Sequence, residues 1–157
     1  LLEQVKLFRK NLLKATRMVR ELSKKSLYTQ RYENLISIPG IGIVTAMSIL
    51  TEIGDASRFH NQREFASFLG LIPSCHSSGE SIANAEKTFR GNKHLGTLVI
   101  ESAWISIRHD RAMAMAYGEY CKRMKAQEAI IRVARKMSNR ILSVLKSGKK
   151  YQYDKIR

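Results

Sequence analysis

ISIPGIGIVTAMSILTEIG, residues 36–54, holds two closely spaced glycines followed by an apolar run that meets no charge before Glu52. Gly40 and Gly42 allow a tight turn. The run behind them predicts a helix from about Ile43 to Ile53, with Val44, Met47, Leu50 and Ile53 inward at spacings of three. A turn that delivers the chain straight into an apolar helix predicts an all-α domain.

The flanks agree with that expectation. Downstream, Asn61 with Glu64 three residues on is a capping box, opening a short helix through Phe65, Phe68 and Leu69 that Gly70 and Pro73 close. After GNKH, Leu95, Leu98, Val99 and residues 102–105 mark a second helix, and AMAMAYGEYCKRM a third. The last, over about residues 126–145, places Ile130, Ala134, Met137, Ile141 and Leu145 on one face, with Arg132, Arg135, Lys136 and Arg140 over the remainder. Upstream, Leu1, Val5, Phe8, Leu12, Ala15, Val19 and Leu22 alternate by four and three, the seam of a coiled coil amid lysines and arginines. An amphipathic helix packed on its own domain is the alternative. The seam ends at Ser26, and SLYTQRYEN is expected to end the helix. Residues 74–91 show no convincing period and predict one irregular loop, with a small hairpin over residues 82–89. KSGKKYQYDKIR predicts a disordered tail. Three segments follow: a coiled-coil linker at 1–31, a helical domain at 32–146 and a basic tail at 147–157.

Charge separates the segments further. The 157 residues carry 28 Lys and Arg against 13 Asp and Glu, a net charge of +15. Residues 1–31 hold +7, residues 32–84 hold −3 with only Arg58 and Arg63 as bases, and residues 85–157 hold +11. A surplus of that size points to a polyanionic partner, because lysine and arginine release counterions from phosphates. No apolar run approaches the ~20 residues of a spanning helix, which argues against a membrane partner. Cys75 and Cys121 form no CxxC or Cys/His spacing, so neither a metal site nor a disulfide framework is expected, and a reducing cytoplasm fits. The chain opens LLEQVK without methionine and already in a helical pattern, which predicts a piece of a longer protein.

Two stretches carry chemistry. Residues 38–46 resemble the helix-hairpin-helix signature, apolar-Pro-Gly-apolar-Gly before an apolar helix. Gly40, Ile41, Gly42, Ile43, Val44 and Thr45 would then present backbone amides and the positive end of the helix dipole to a phosphate. Such a grip needs no lysine and reads no sequence. The alternative is an αα-turn that merely needs glycine. The second stretch is PSCHSSGES, residues 73–81, where Ser77 and Ser78 precede Gly79. Serines beside glycine are usually turn residues or caps. A catalytic serine needs an activating partner, and nothing in the sequence fixes the geometry of His76, His94 or His109. GxSxG is absent, no SxxK falls on this serine pair, and paired acids at metal-binding spacing are absent; Glu52, Asp55 and Glu64 look like caps and surface.

The order IPGIG, FASFLGLIPSCHSSGE, GNKHL…ESAW and VARKMSNRIL, over about residues 35–145, resembles the C-terminal domain of the insertion-sequence 110/116/902 transposases, a group that includes Piv-type DNA invertases. The basic helix before it is similar to the coiled coil joining that family's two domains. The resemblance implies a recombinase in which Ser78, with Ser77 the runner-up, attacks a DNA phosphodiester and becomes a covalent phosphoserine. It further implies a RuvC-like N-terminal domain whose acids hold divalent metal (Mg), a guide (bridge) RNA, pairing of copies through the coil, and a prokaryotic, nucleoid-associated location. The chain departs from the family pattern at Gly96, where GNxxLR has arginine, and in KTFRGN, which puts one phosphate contact in doubt; Arg90 or Lys93 could substitute, beside Asn92. No cofactor is expected in this domain itself. A non-catalytic helix-hairpin-helix module and an RNA-binding structural protein are the rivals. Aromatic residues are 8% of the chain, few for base stacking.

Overall fold

In the computed structural model, which describes residues 1–72 and 91–154, the chain folds into seven α-helices and one 3₁₀ turn, with no strand among the described residues. They are α1 (Leu2–Ser23), α2 (Thr29–Ile36), α3 (Ile43–Ile53), the turn Ala56–Arg58, α4 (Gln62–Phe68), α5 (Lys93–Ser106), α6 (Arg111–Cys121) and α7 (Ala126–Ser147). The all-α expectation holds. The loop or hairpin expected around residues 74–91 lies outside the described residues except for Gly91.

Ile130, Val133, Ala134, Met137, Ile141 and Leu142 make one buried stripe along α7. The other helices of the domain gather on it: α5, α6, α4 and α2 all touch α7, as does the 3₁₀ turn. Each buried Leu, Ile, Val, Met or Phe in such a stripe contributes about 1.5–3 kcal/mol relative to exposure. The capping box forms as the sequence predicts. The Glu64 amide donates to Asn61 Oδ1 at 2.9 Å, and the Glu64 carboxylate accepts from the His60 amide at 2.8 Å. That amide holds the Glu64 carboxyl below its ordinary value. At the other end of α4, Leu71 N donates to Ala66 O and Gly70 N to Ser67 O, both at 2.9 Å, the paired bonds of a Schellman stop.

Four local readings change. SLYTQRYEN does not simply end the first helix. After a break at residues 24–28 the chain re-enters helix as α2, because Tyr28, Tyr32 and Leu35 recur at helical spacing and all pack on the core. The boundary expected at residue 31 therefore falls inside α2. Val44 is 52% exposed rather than inward, and Ala46 and Ile49 are fully buried in its place. The helix turns its inner face toward α5 as well as α2, so more of it is covered than one stripe. Arg140, expected on the outer face of α7, turns inward. Residues 149–154 run back across the domain rather than trailing away: Tyr151 packs on the core, its amide donates to Ser37 Oγ at 2.7 Å, and Arg111 N donates to Asp154 O at 3.1 Å.

The first helix ends at Ser23, short of the expected linker at 1–31, and its apolar seam is largely uncovered in the single chain. Phe8 and Leu12 are 71% and 68% exposed, and only Val19 and Leu22 of the seam pack on the domain.

Gly96, inside α5, lies so close to the end of α4 that a Cβ would overlap the Leu69 carbonyl oxygen. Gly118 in α6 faces open space. Gly96→Ala should destabilise by about 1–3 kcal/mol, while Gly118→Ala should stabilise by about 0.5–1 kcal/mol by removing backbone freedom from the unfolded chain. Urea midpoints moving the same way for both would sink this assignment of the α4–α5 contact.

Candidate nucleic-acid interface

The glycine turn joins α2 to α3 as two packed helices. It is held from behind by three elements. Ser37 Oγ donates to Asn34 O and accepts the Tyr151 amide. Asn34, buried in α2, donates from Nδ2 to Gly148 O at 2.7 Å. Gly40 has φ +92° and sits against α5, where a Cβ would collide with the Ser102 carbonyl. Both properties demand glycine, and both serve the fold, since this residue faces α5.

The six residues expected to touch phosphate therefore divide. Ile41 is in the core, Ile43 is half-buried, and Thr45 is buried with its Oγ1 accepting from Ser102 Oγ at 3.4 Å. Gly42 and Val44 are exposed. Gly42 is the N-cap of α3 in extended backbone (φ −92°, ψ 179°), has no side chain to cap with, and accepts the Ala46 amide through its carbonyl at 2.9 Å. The accessible part of the turn is thus the start of α3 around Gly42, walled by Val44.

Asn92 and Lys93 lie elsewhere. Asn92 is the N-cap of α5: its Oδ1 accepts the Leu95 amide at 3.1 Å, and its Nδ2 donates to Glu52 Oε2 at 3.2 Å. The side chain expected to meet phosphate is committed to the fold, and Glu52 is its partner at the far end of α3. Gly42 and Glu52 are separated by the length of α3, roughly 15 Å at 1.5 Å per residue. The structure does not bring these two groups of expected contacts together. Lys93 is exposed on the first turn of α5. Ser77, Ser78, Arg90, Cys75 and His76 lie outside the described residues. What the structure does place is the base of that segment: Asn92 N donates to Phe68 O at 2.7 Å, and Gly91 lies on the backbone of Gly70. Gly96, where the resemblance expects arginine, is buried against Leu69, so a side chain there would have no room.

A buried polar hub stands behind the turn, and its only trace in the sequence is an Asp110 placed before a helix. Asp110 is fully buried. Oδ1 accepts the Ala112 and Met113 amides at 2.9 and 3.3 Å, capping α6. Oδ2 accepts from Arg140 at 2.6 Å and from the Tyr151 hydroxyl at 3.0 Å, and the Arg140 guanidinium lies 4.9 Å from the Tyr151 ring centre. Removing one partner of such a pair costs about 3–5 kcal/mol, because the other charge is left buried. Among the described residues no three His, Cys, Asp or Glu side chains gather closely enough to hold a metal ion. Nor is any helix among them long and apolar enough to cross a membrane.

These features define a strongly basic, all-helical domain gathered on α7, with a glycine turn joining α2 to α3. The chain belongs to the transposase IS116/IS110/IS902 family, whose model matches residues 32–118. It is 37% identical over 89 residues to the transposase for insertion sequence element IS1111A of Coxiella burnetii, covering 57% of this chain and 24% of that protein. It is 32% identical over 119 residues to the insertion element IS110 uncharacterized 43.6 kDa protein of Streptomyces coelicolor (75% and 29%). With the pilin gene-inverting protein of Moraxella bovis it shares 32% over 123 residues (74% and 37%). The matched region is thus about a quarter to a third of these relatives' length.

The hub carries a pH signature. Burial, reinforced by the Asp110 carboxylate and opposed by Arg140, pushes the Tyr151 phenol up to about 12. The fold therefore favours neutral Tyr151 over its ordinary value of about 10. Its contribution is complete below about pH 10 and is lost as pH rises toward about 12. Tyr151→Phe should flatten the fall of the melting temperature across that window; an unchanged alkaline profile would show that Tyr151 is not held in this way.

Proposed function

We propose that this chain is the serine-bearing domain of a DNA recombinase that moves or inverts DNA segments, together with part of the helix linking it to a RuvC-like domain. The observation that carries this reading is the family match over residues 32–118, which runs across PSCHSSGES. The net charge of +15 supports a nucleic-acid partner. Ser78 is the proposed nucleophile, with Ser77 the runner-up. Its Oγ forms a bond to a backbone phosphorus as one P–O bond of the strand breaks, and the hydroxyl proton is taken up by a base. Phosphoryl transfer rests on positioning and charge neutralisation. Divalent metal belongs, in this reading, to acids of the RuvC-like domain, and a guide RNA to pairing with target and donor. The cytoplasm, at the nucleoid, is the proposed location.

The start of α3 around Gly42 is proposed to hold a backbone phosphate through its amides. In the full-length protein Ser78→Ala should abolish strand transfer and leave DNA binding intact, with Ser77→Ala milder. Gly42→Val should weaken duplex binding for all sequences alike, since a side chain there would stand over the amides. Strand transfer at the normal rate by both serine variants would leave the pair as a turn and the domain as a non-catalytic binding module.

The exposed seam of α1 is proposed to pair with another helix, from a second copy or from the RuvC-like domain, which would cover Phe8 and Leu12. Leu12→Lys puts a charge in that seam and should convert the oligomer to monomer in sedimentation. A chain that is monomeric at high concentration with or without the substitution has no self-pairing coil.

A further inference from the structure

Several basic residues near the centre of this domain are already engaged inside it. Arg140 is paired with Asp110, and Lys146 donates to Phe59 O at 2.6 Å. Arg31 donates to Gly54 O at 3.0 Å, and Arg58 lies against the rings of Phe59 and Phe68 at 4.8 and 4.9 Å. Other bases have no such engagement, four of them on α4 and α7. Arg63 on α4 and Arg132, Arg135 and Lys136 on α7 are exposed and make no ion pair or hydrogen bond from their side chains among the described residues.

These four converge on one surface. Asn61, Arg63, Arg135 and Asn139 line a depression between the start of α4 and the outer face of α7. Arg135 and Asn139 also line a second depression beside it, with Arg132, Lys136 and Leu71. The two share Arg135 and Asn139 and so lie side by side, as a groove in two parts. On α7, positions 132, 135, 136 and 139 follow the spacing of a single helix face. They extend over about 10 Å of helix, about the axial rise of three base pairs of duplex at 3.4 Å each.

We propose that this groove between α4 and the outer face of α7 seats the sugar-phosphate backbone of duplex DNA. The proposal rests on the recombinase reading above and says where on the domain the duplex lies. Beside Leu71, Tyr120 and Ile131, its lining side chains are cations and amides, the groups that contact phosphate and sugar. Tyr120, half-buried, is the sole aromatic among the described lining residues, which is too little for a single strand held by stacked bases. Leu71 closes the groove on the side from which the chain runs on toward the serine pair. A strand lying here is therefore near the covalent start of that segment, which favours the substrate DNA over a guide RNA.

The test is a salt titration of the 157-residue chain on a fluorescent DNA duplex of mixed sequence, read by anisotropy. Replacing Arg132, Arg135 and Lys136 together by Ala should reduce the slope of log K against log salt by about 2.7, at about 0.9 per phosphate. A control with the same charge loss, Lys10→Ala, Lys14→Ala and Arg17→Ala on α1, should leave the slope nearly unchanged. Equal losses in both variants, or no loss in the first, would overturn the groove while leaving the recombinase reading in place. An RNA duplex that loses its slope while DNA does not would overturn the occupant. Absence of salt-dependent binding by the parent chain would remove the nucleic-acid reading itself. Should the triple variant lose its helical circular dichroism, acetylation of the parent decides the matter: bound DNA should shield Lys136 and not Lys14, and equal shielding overturns the groove.

Discussion

Ile130, Val133, Ala134, Met137, Ile141 and Leu142 lie in an unbroken buried row on α7, and α2, α4, α5 and α6 each set a face against it. The row fixes two things at once. It gives the domain its core, and because a helix has only one circumference it decides which side of α7 is left to water. That remaining side is where Arg132, Arg135 and Lys136 stand. Core and charge display are two aspects of one helical period.

The polar interior follows from the same constraint. Arg140 lies near the edge of the buried row, where a cation can be kept only if it is paired. Asp110 supplies the charge, and it must itself be satisfied, which the α6 amides and the Tyr151 hydroxyl accomplish. Tyr151 then draws the C-terminal segment across the domain, and its amide reaches Ser37 at the entry to the glycine turn. Turn, tail and buried ion pair are consequently one structural unit. The conformation of residues 37–42 depends on residues more than a hundred positions away in sequence.

Much of this is legible in the sequence, and for definite reasons. The helices at 43–53 and 62–68 are marked by local signals, a glycine turn before an apolar run and a capping box, which act within a few residues. The buried face of α7 is legible because its period is regular. What escapes is everything settled by distant neighbours. Gly40 reads as a phosphate contact because glycine permits both close approach to a ligand and close packing on α5; only the Ser102 carbonyl shows which applies. Asn92 reads as a phosphate ligand because capping and binding use the same amide side chain. Arg140 cannot be told from Arg135 by spacing alone, and the tail reads as polar because its one anchoring ring lies among lysines. The serine pair is picked out by family order, not by chemistry visible in its own residues.

One detail of the scaffold bears on how such a domain can change over time. The chain departs after Ile72 and is back at Gly91, and the two points meet through the Asn92–Phe68 hydrogen bond and the Gly91–Gly70 contact. Leu69 and Leu71, on either side of Gly70, are buried at that junction. Loop-closure entropy grows only with the logarithm of length, about 0.6 kcal/mol for each doubling. A change of length between these two points therefore costs little in closure entropy alone, because the described helices hold the two ends together. The junction is thus a fixed mount for the segment that includes the serine pair.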